Sequence, residues 1–469
     1  MATNLVSNAY MNNLLKTVYL KGVFNNKYQG SVTLSKVGKE KWDGGEKIEY
    51  AAQYANGGNF GSDYAALVNA PTDGARNIKW QMQYGYLTGW FDIDQPELLV
   101  AQNDSVAFMG ILENKMAATF DGLSKMLATY MFGGQYGVID QVASDITLSG
   151  TSHTFPLTMS GAMKLDLGSR FVIATAGSAN AALPSSPLLG SGTVFTVTKI
   201  RKNSITATTA AAVSDTVYAG DYLEIYTSRQ GATVLGPEGL ADLIPYVGDR
   251  ENNDAVWQAY IGTQFRGVDR SIAEDRLAGQ FAVAAASGNY RLSETLSSLL
   301  KDTVAAGGRN NVVVINNNTF EKIAKELDLS KNLWQQFNGG NEKNSYTAGL
   351  SNLDTAFGQA FISRTIIDPY CPEDKAYMFE FDDLKFYDLG NVSRVINPVA
   401  NDEIGKHDIE AVGSQGRGDE IVPKLNWDKL FNIEQGVPGT YGPGMRVSAN
   451  IYGNFALRKT GSAGVAILK

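Results

Sequence analysis

Asn77-Ile78-Lys79-Trp80-Gln81-Met82-Gln83-Tyr84-Gly85-Tyr86 decides how the rest of this chain is read. Ile78, Trp80, Met82, Tyr84 and Tyr86 alternate with Asn77, Lys79, Gln81, Gln83 and Gly85, a period of two that marks an extended strand with one apolar face. Ile48–Tyr54 is the expected partner strand. Between the two lies Asn56-Gly57-Gly58-Asn59-Phe60-Gly61-Ser62-Asp63-Tyr64, a glycine-rich aromatic tip. A two-stranded ribbon is marginally stable in water by itself. Residues 44–97 are therefore expected to lie on a neighbouring chain through Gly57, Gly58, Phe60, Tyr64, Trp80, Met82 and Tyr84.

The ribbon runs into a long amphipathic helix expected over residues 98–134. Asn103, Asp104 or Ser105 can cap its start. Met109, Leu112, Met116, Phe120, Leu123, Leu127 and Tyr130 recur at threes and fours, which is one helical stripe. Gly133-Gly134 stops it, so the helix is roughly 40 Å long. Any large protein can own one long core helix; a ribbon feeding directly into it is the more specific pattern.

At 469 residues the chain exceeds one simple core, and two or three domains are expected. A net charge of −8 argues against a nucleic-acid reader with an overall basic surface, but not against a container whose wall need not grip its contents. Charge is uneven: Lys16, Lys21, Lys27, Lys36 and Lys39 precede the first acid, Glu40. This basic arm can meet phosphate or an acidic partner; a solvated terminus is an equal reading. The start lacks the continuous apolar run of a signal peptide. With Cys371 alone no intrachain disulfide is possible, and that usage suits a reducing cytosol. The uncharged stretch Phe171–Thr198 is broken by Gly177, Pro184, Pro187, Gly190 and Gly192, so it reads as short strands and loops rather than a membrane span.

Residues 1–43 read as an arm with a short helix near Leu14–Phe24. Residues 146–228 are rich in Thr, Ser, Ala and Gly, with strands at Val194–Ile200, Ile205–Thr209 and Tyr222–Tyr226 and a hairpin turn at Arg201-Lys202-Asn203-Ser204. They form an expected small all-β module. Residues 229–400 mix periods: a helix at Leu292–Val304 closed by Gly307-Gly308, a buried strand at Asn311–Asn316, a helix at Thr319–Leu327, a loop from Trp334 to Tyr346, and strands at Ala360–Ile367 and Ala376–Phe381. Met445–Leu468 holds two more strands. The class is α+β or α/β.

No catalytic constellation emerges. His153 and His407 lack metal-ligand spacing. No nucleophile elbow or Walker loop occurs, and Lys459-Thr460-Gly461 lacks its companion motifs. The pairs Asp92/Asp94 and Asp382/Asp383 fit turns better than a glycosidase cleft. No enzyme activity, cofactor or metal is expected.

The order of arm, glycine-tipped ribbon, long helix, mixed domain and terminal strand pair resembles the major capsid proteins of tailed double-stranded-DNA bacteriophages, the Hong Kong ninety-seven-type fold. Local wording is similar too: Gly57–Tyr64 resembles an extended-loop tip, Gly239-Leu240-Ala241-Asp242-Leu243-Ile244 the lead-in to the axial domain, and Tyr370–Tyr377 a late strand of that domain. The resemblance covers most of the chain except 146–228. It implies an α+β chain with an N-terminal arm (1–43), an extended loop (44–97), a peripheral domain with a spine helix (98–145), an inserted β-rich module (146–228), an axial domain (229–400) and a return to the peripheral domain (401–469). It implies self-assembly in the host bacterial cytoplasm into hexamers and pentamers of an icosahedral virion shell. Its implied partners are further copies of the chain, a separate scaffolding protein, a portal protein, a decoration protein and non-specifically held DNA, with no membrane. With the ribbon beginning near residue 45, no N-terminal scaffolding segment of the kind some family members carry is expected, which implies a separate scaffold or an already matured chain. Lys79 lies on the ribbon, but no motif supports a lysine–asparagine crosslink, and none is expected. Two other classes stay open: a β-rich tail or surface protein binding carbohydrate through 146–228, and a hydrolase with paired acids.

Overall fold

Period-two segments become strands and the long apolar stripe becomes a helix. The computed structural model describes residues 30–42, 45–56, 62, 76–94, 105–174, 188–189, 192–226, 228–230, 233–284, 292–308, 311–335, 362–388, 424–426 and 444–468. In chain order the first elements are strands β1 (Gly38–Lys41), β2 (Lys47–Ala55), β3 (Arg76–Gln83) and β4 (Gly85–Asp94), then helix α1 (Ser105–Gly133). Strand β5 (Val138–Gln141), β6 (Ile146–Pro156), helix α2 (Met159–Met163), β7 (Arg170–Ala174), β8 (Phe195–Arg201), β9 (Ser204–Val217) and β10 (Tyr222–Ile225) follow. Next come the short pair β11 (Arg229–Gln230) and β12 (Thr233–Val234), and helices α3 (Leu240–Leu243), α4 (Ala255–Gly262) and α5 (Glu274–Leu277). The last are β13 (Gln280–Val283), α6 (Leu292–Ala305), β14 (Asn311–Ile315), α7 (Asn317–Gln335), β15 (Ile362–Ile367), β16 (Lys375–Phe379), β17 (Leu384–Asp388), β18 (Lys424–Asn426), β19 (Gly444–Leu457) and β20 (Gly464–Ile467). The class is mixed α and β.

The chain divides into two compact units. The smaller holds residues 1–30, 88–124 and 423–450. In it Lys424–Asn426 pairs antiparallel with Ser448–Asn450. Gly89 lets β4 lie close on α1, because a Cβ there would sit 3.0 Å from Thr119 and 3.1 Å from Leu123.

The larger unit contains residues 31–87, 125–422 and 451–469. Its mixed sheet has the order β13-β20-β16-β14-β15. One face is covered by α6 and α7, where Leu296, Leu299, Phe320 and Ile323 meet Val313, Ile315, Met378 and Ala466. Helix α6 ends as its glycines foretell: Gly307 has φ +101°, and the Gly308 N–H reaches back to Thr303 O at 2.9 Å. Helix α7 is longer than expected. Trp334 and Gln335, assigned to a loop from composition, complete its last turn. The strand runs near 362, 376, 445 and 464 fold as expected.

A six-stranded antiparallel sheet, order β5-β10-β7-β8-β9-β6, stands beside the mixed sheet. The turn at Lys202-Asn203 joins β8 and β9 as predicted. The sheet reaches further back than 146, because Val138–Gln141 pairs with β10. Its core is aromatic. Phe155 meets Phe171 and Phe195 edge-on at 5.5 and 5.2 Å, Phe171 stacks on Phe195 at 5.3 Å, and His153 lies 6.0 Å from Phe195. Where the two sheets meet, Asp140, Lys164, Tyr222, Tyr246, Asp374 and Lys375 line a cleft of about 230 Å³. Burial lowers the pKa of Lys164, with Asp140 opposing; its ammonium donates to Ile139 O at 2.8 Å.

Phe155 is fully buried and touches both other rings. Phe155→Ala is expected to cost about 3–5 kcal/mol, read as a lower midpoint in denaturant with an unchanged slope.

Candidate assembly site

The ribbon and its footing are built from alternation. β2 and β3 pair antiparallel from Lys47↔Gln83 to Gln53↔Asn77. Lys47, Glu49, Ala51 and Gln53 are exposed on one face, where Glu49 accepts from Gln81 Nε2 at 3.0 Å and pairs with Lys79 at 3.8 Å. The other face carries Tyr50, Trp80 and Met82, with Tyr50 stacked on Trp80 at 6.3 Å.

That apolar face is covered by its own chain, which corrects the expectation that Trp80 and Met82 lie on a neighbouring chain. Trp80 packs with Val268, Leu277 and Phe265, and Met82 with Trp42 and Ala456. Both are buried, at 2 % and 0 % exposure. The covering residues lie nearly two hundred positions or more from β3, except Trp42, and strand periodicity carries no information about them. Tyr84 lies between β3 and β4, is 42 % exposed and meets Trp42 edge-on at 6.0 Å. Gly57, Gly58, Phe60 and Tyr64, with Lys16, Lys21 and Lys27 of the arm, lie outside the described residues.

Arg266 holds this footing together. It sits in a two-residue turn with Gly267, at φ +52° and +76°, closed by reciprocal Phe265–Val268 hydrogen bonds of 2.9 Å. Both central residues at positive φ make it a type I′ turn. The Arg266 carbonyl accepts from Gln81 N at 2.9 Å. Its guanidinium donates Nε to Glu238 Oε2 at 2.6 Å, Nη1 to Tyr50 OH at 3.1 Å and Nη2 to Phe455 O at 2.6 Å. Burial opposes its charge, yet Glu238 and then Tyr50 hold its pKa above the ordinary value. Glu238 also accepts from Asn454 Nδ2 at 3.0 Å, and Asn454 donates to Gln83 O at 2.9 Å. Arg276 Nη1 donates to Tyr54 O further up the ribbon. Sequence reading missed Arg266, Glu238 and Asn454. The Arg-Gly pair between Phe265 and Val268 was the available signal, being a hairpin turn between apolar residues.

The end of α1 is fastened beside this network. Gly134 has φ +71°, and its N–H bonds Tyr130 O at 2.9 Å. Asp242 Oδ2 accepts from Gln135 N at 2.6 Å and Gly239 N at 3.0 Å. Burial, then the charge of Glu238, pushes the Asp242 carboxyl up to about 7. Among the described residues no group of three or more His, Cys, Asp or Glu is arranged to hold a metal ion. The polar network joins β2 and β3 of the ribbon to β19 and to the segment before α3.

No protein-family model matches the sequence, and no curated protein matches it. Solved structures do. A chain of the cyanophage A-1(L) capsid asymmetric unit superposes with a TM-score of 0.50 at 12 % identity, over 97 % of this chain and 99 % of that one. This chain has a phage capsid fold. Chains from Mycobacterium phage Ogopogo (TM-score 0.41, 10 % identity, 97 % and 98 % covered) and the capsid of Myoviridae phage XM1 (0.41, 9 %, 97 % and 97 %) also match, but the fold assignment rests on the cyanophage capsid chain.

Two outcomes test the footing of this capsid fold. Among the described residues Arg266→Ala leaves the Glu238 carboxylate partnered only by Asn454, and is expected to cost about 3–5 kcal/mol. Amide exchange should accelerate across Lys47–Ala55 and Arg76–Gln83 more than in α6. Asp242 has a folded pKa above its unfolded one, so its contribution is full below pH about 4 and is lost as pH rises to about 7. Asp242→Asn keeps the accepting oxygen without the charge. Relative to it, wild-type stability should fall by up to about 1.4 kcal/mol per pH unit across that window, measured by denaturant unfolding at each pH.

Proposed function

We propose that the protein is a major capsid protein, a shell subunit that assembles into hexamers and pentamers and encloses double-stranded DNA in a tailed-phage virion. The observation that carries this reading is the end-to-end superposition on a capsid chain, covering 97 % of one and 99 % of the other. The role is structural rather than catalytic. In this reading residues 44–97 are the extended loop that reaches a neighbouring subunit, 98–134 the spine helix, 146–228 an inserted module, 229–400 the axial domain, and 401–469 the return. Trp80 and Met82 serve as footing, while Gly57, Gly58, Phe60, Tyr64 and the exposed Tyr84 supply contacts to the neighbour. Lys16, Lys21 and Lys27 meet DNA, a separate scaffolding protein or subunit seams. Portal and decoration proteins complete the partner set, and assembly takes place in the host bacterial cytoplasm.

A shell of this kind is held by many weak contacts repeated by symmetry. Expressed full-length protein should therefore give capsomers or closed particles by electron microscopy and sedimentation. A monomer at all concentrations, with and without a co-expressed scaffold, would end the proposal. Deleting Asn56–Asp63 should leave a folded subunit, because the footing lies below it, and lower particle yield. Charge reversal at Lys16 and Lys21 should lower assembly or packaging more at low salt than at high salt.

A further inference from the structure

The six-stranded sheet buries its aromatics on one face, and its other face, over β8, β9, β6 and the first residue of β7, is made of hydroxyls and cations. Strand register places the side chains in rows. Arg170, Thr196, Thr208 and Ser152 lie side by side across β7, β8, β9 and β6. The next row is Lys199, Thr206 and Thr154, and the one after it begins with Arg201 and Ser204. Lys202 follows in the turn. Thr154 and Thr206 share a hydrogen bond of 3.2 Å, and Thr198 Oγ1 donates to Thr206 O at 3.2 Å, so the hydroxyls are ordered.

No carboxylate enters these rows. β6, β7 and β8 contain no acid, and Asp215 of β9 lies at the far end, opposite Leu148. Asp166, near Arg170 in sequence, is taken by Lys125 at 2.8 Å. Glu321, which feels Lys202 from α7, is paired with Lys325 at 2.5 Å. Arg170, Lys199, Arg201 and Lys202 are all exposed, and none forms an ion pair among the described residues. On a chain of net charge −8, rows that carry cations and no carboxylate are a local departure; Glu224, on the same face in register with Val172, is fully buried. The free energy of gathering like charges is recovered when an anionic surface covers them.

Which anion follows from what the face lacks. Phe155, Phe171 and Phe195 are turned inward and fully buried. Tyr226, at the rim beside Arg170, is 37 % exposed. Among the described residues this face holds no row of rings on which sugars or unpaired bases could stack. Arginine, lysine and threonine donors spread over a flat surface are the groups that meet phosphate oxygens without reading sequence.

We propose that this face, centred on Arg170, Lys199, Arg201 and Lys202 with the threonine rows between them, binds the phosphate backbone of duplex DNA. Its chemistry stands on the sheet itself; the identification of the duplex as the packaged genome rests on the capsid reading. Binding is sequence-independent and set by counterion release, so each lost cation removes about one unit from the slope of log K against log salt.

The test uses the full chain below its assembly concentration and a short labelled duplex of random sequence, followed by anisotropy across a salt series. Lys199→Gln with Arg201→Gln should flatten the slope by about 2 and weaken low-salt binding on the order of tenfold. Arg170→Gln alone should flatten it by about 1, which keeps the test intact if the double variant folds poorly. Lys301→Gln, exposed on α6 and away from the rows, should change neither. Unchanged slopes in folded variants overturn the proposal. So does displacement of the duplex by polyglutamate at lower charge concentration than by unlabelled duplex, which would mark an acidic protein as the partner. Particle formation by the same samples is scored separately. Particles with no change in DNA binding sink the face alone, whereas DNA binding without particles under any condition sinks the shell reading alone.

Discussion

The guanidinium of Arg266 is the point on which the larger unit converges. It is buried, charged and tied to Glu238, to the Tyr50 hydroxyl of the ribbon and to the Phe455 carbonyl of β19. A buried ion pair is a poor source of net stability, because desolvation cancels much of its attraction. What it supplies here is geometry. Three chain segments far apart in sequence must reach one planar fork at once, and a ribbon in the wrong register or at the wrong angle leaves a charge unpaired. The apolar contacts of Trp80 and Met82 then fill the space that this arrangement defines.

The same logic governs the second joint. Gly134 turns the chain out of α1 with positive φ, and Asp242 collects the amide that follows. An uncharged oxygen would serve those hydrogen bonds. The carboxylate adds a charge that burial resists and Glu238 repels, so the joint between α1 and α3 carries a built-in opposition that depends on protonation. Arg266 and Asp242 share Glu238, the first through a direct bond and the second through its field.

Much of the fold was legible because periodicity is a local property. The alternation in Ile78–Met82, the stripe through Leu123, Leu127 and Tyr130, the turn at Lys202-Asn203 and the glycine stop after α6 are written in consecutive residues. Burial partners are not. Nothing near Trp80 announces that Val268 and Leu277 cover it, and the sequence argument filled that gap with a neighbouring subunit. Val138–Gln141 fell past the helix stop, in the 98–145 peripheral segment, because four residues show no period; only pairing with Tyr222–Glu224 assigns it to a sheet. Asn-rich composition suggested a loop at Trp334, but a helix already running from Asn317 carries such residues through one more turn. Of the site, the ribbon's apolar residues were found, and the polar hub was not. Arginine, glutamate and asparagine are ordinarily surface residues, and only tertiary closure turns them into a core.

Cys371 carries a consequence of another kind. Its thiol is fully buried, with Sγ 3.5 Å from the Lys375 carbonyl and 3.7 Å from that of Val314, and burial pushes its pKa well above the ordinary range. The thiolate is the species that attacks disulfides and peroxides, and here it is scarcely formed. An exposed thiol in its place could form a disulfide between two copies of the chain as surroundings turn oxidising. Held in this pocket, the Cys371 thiol is shielded from that exchange by burial and by its raised pKa.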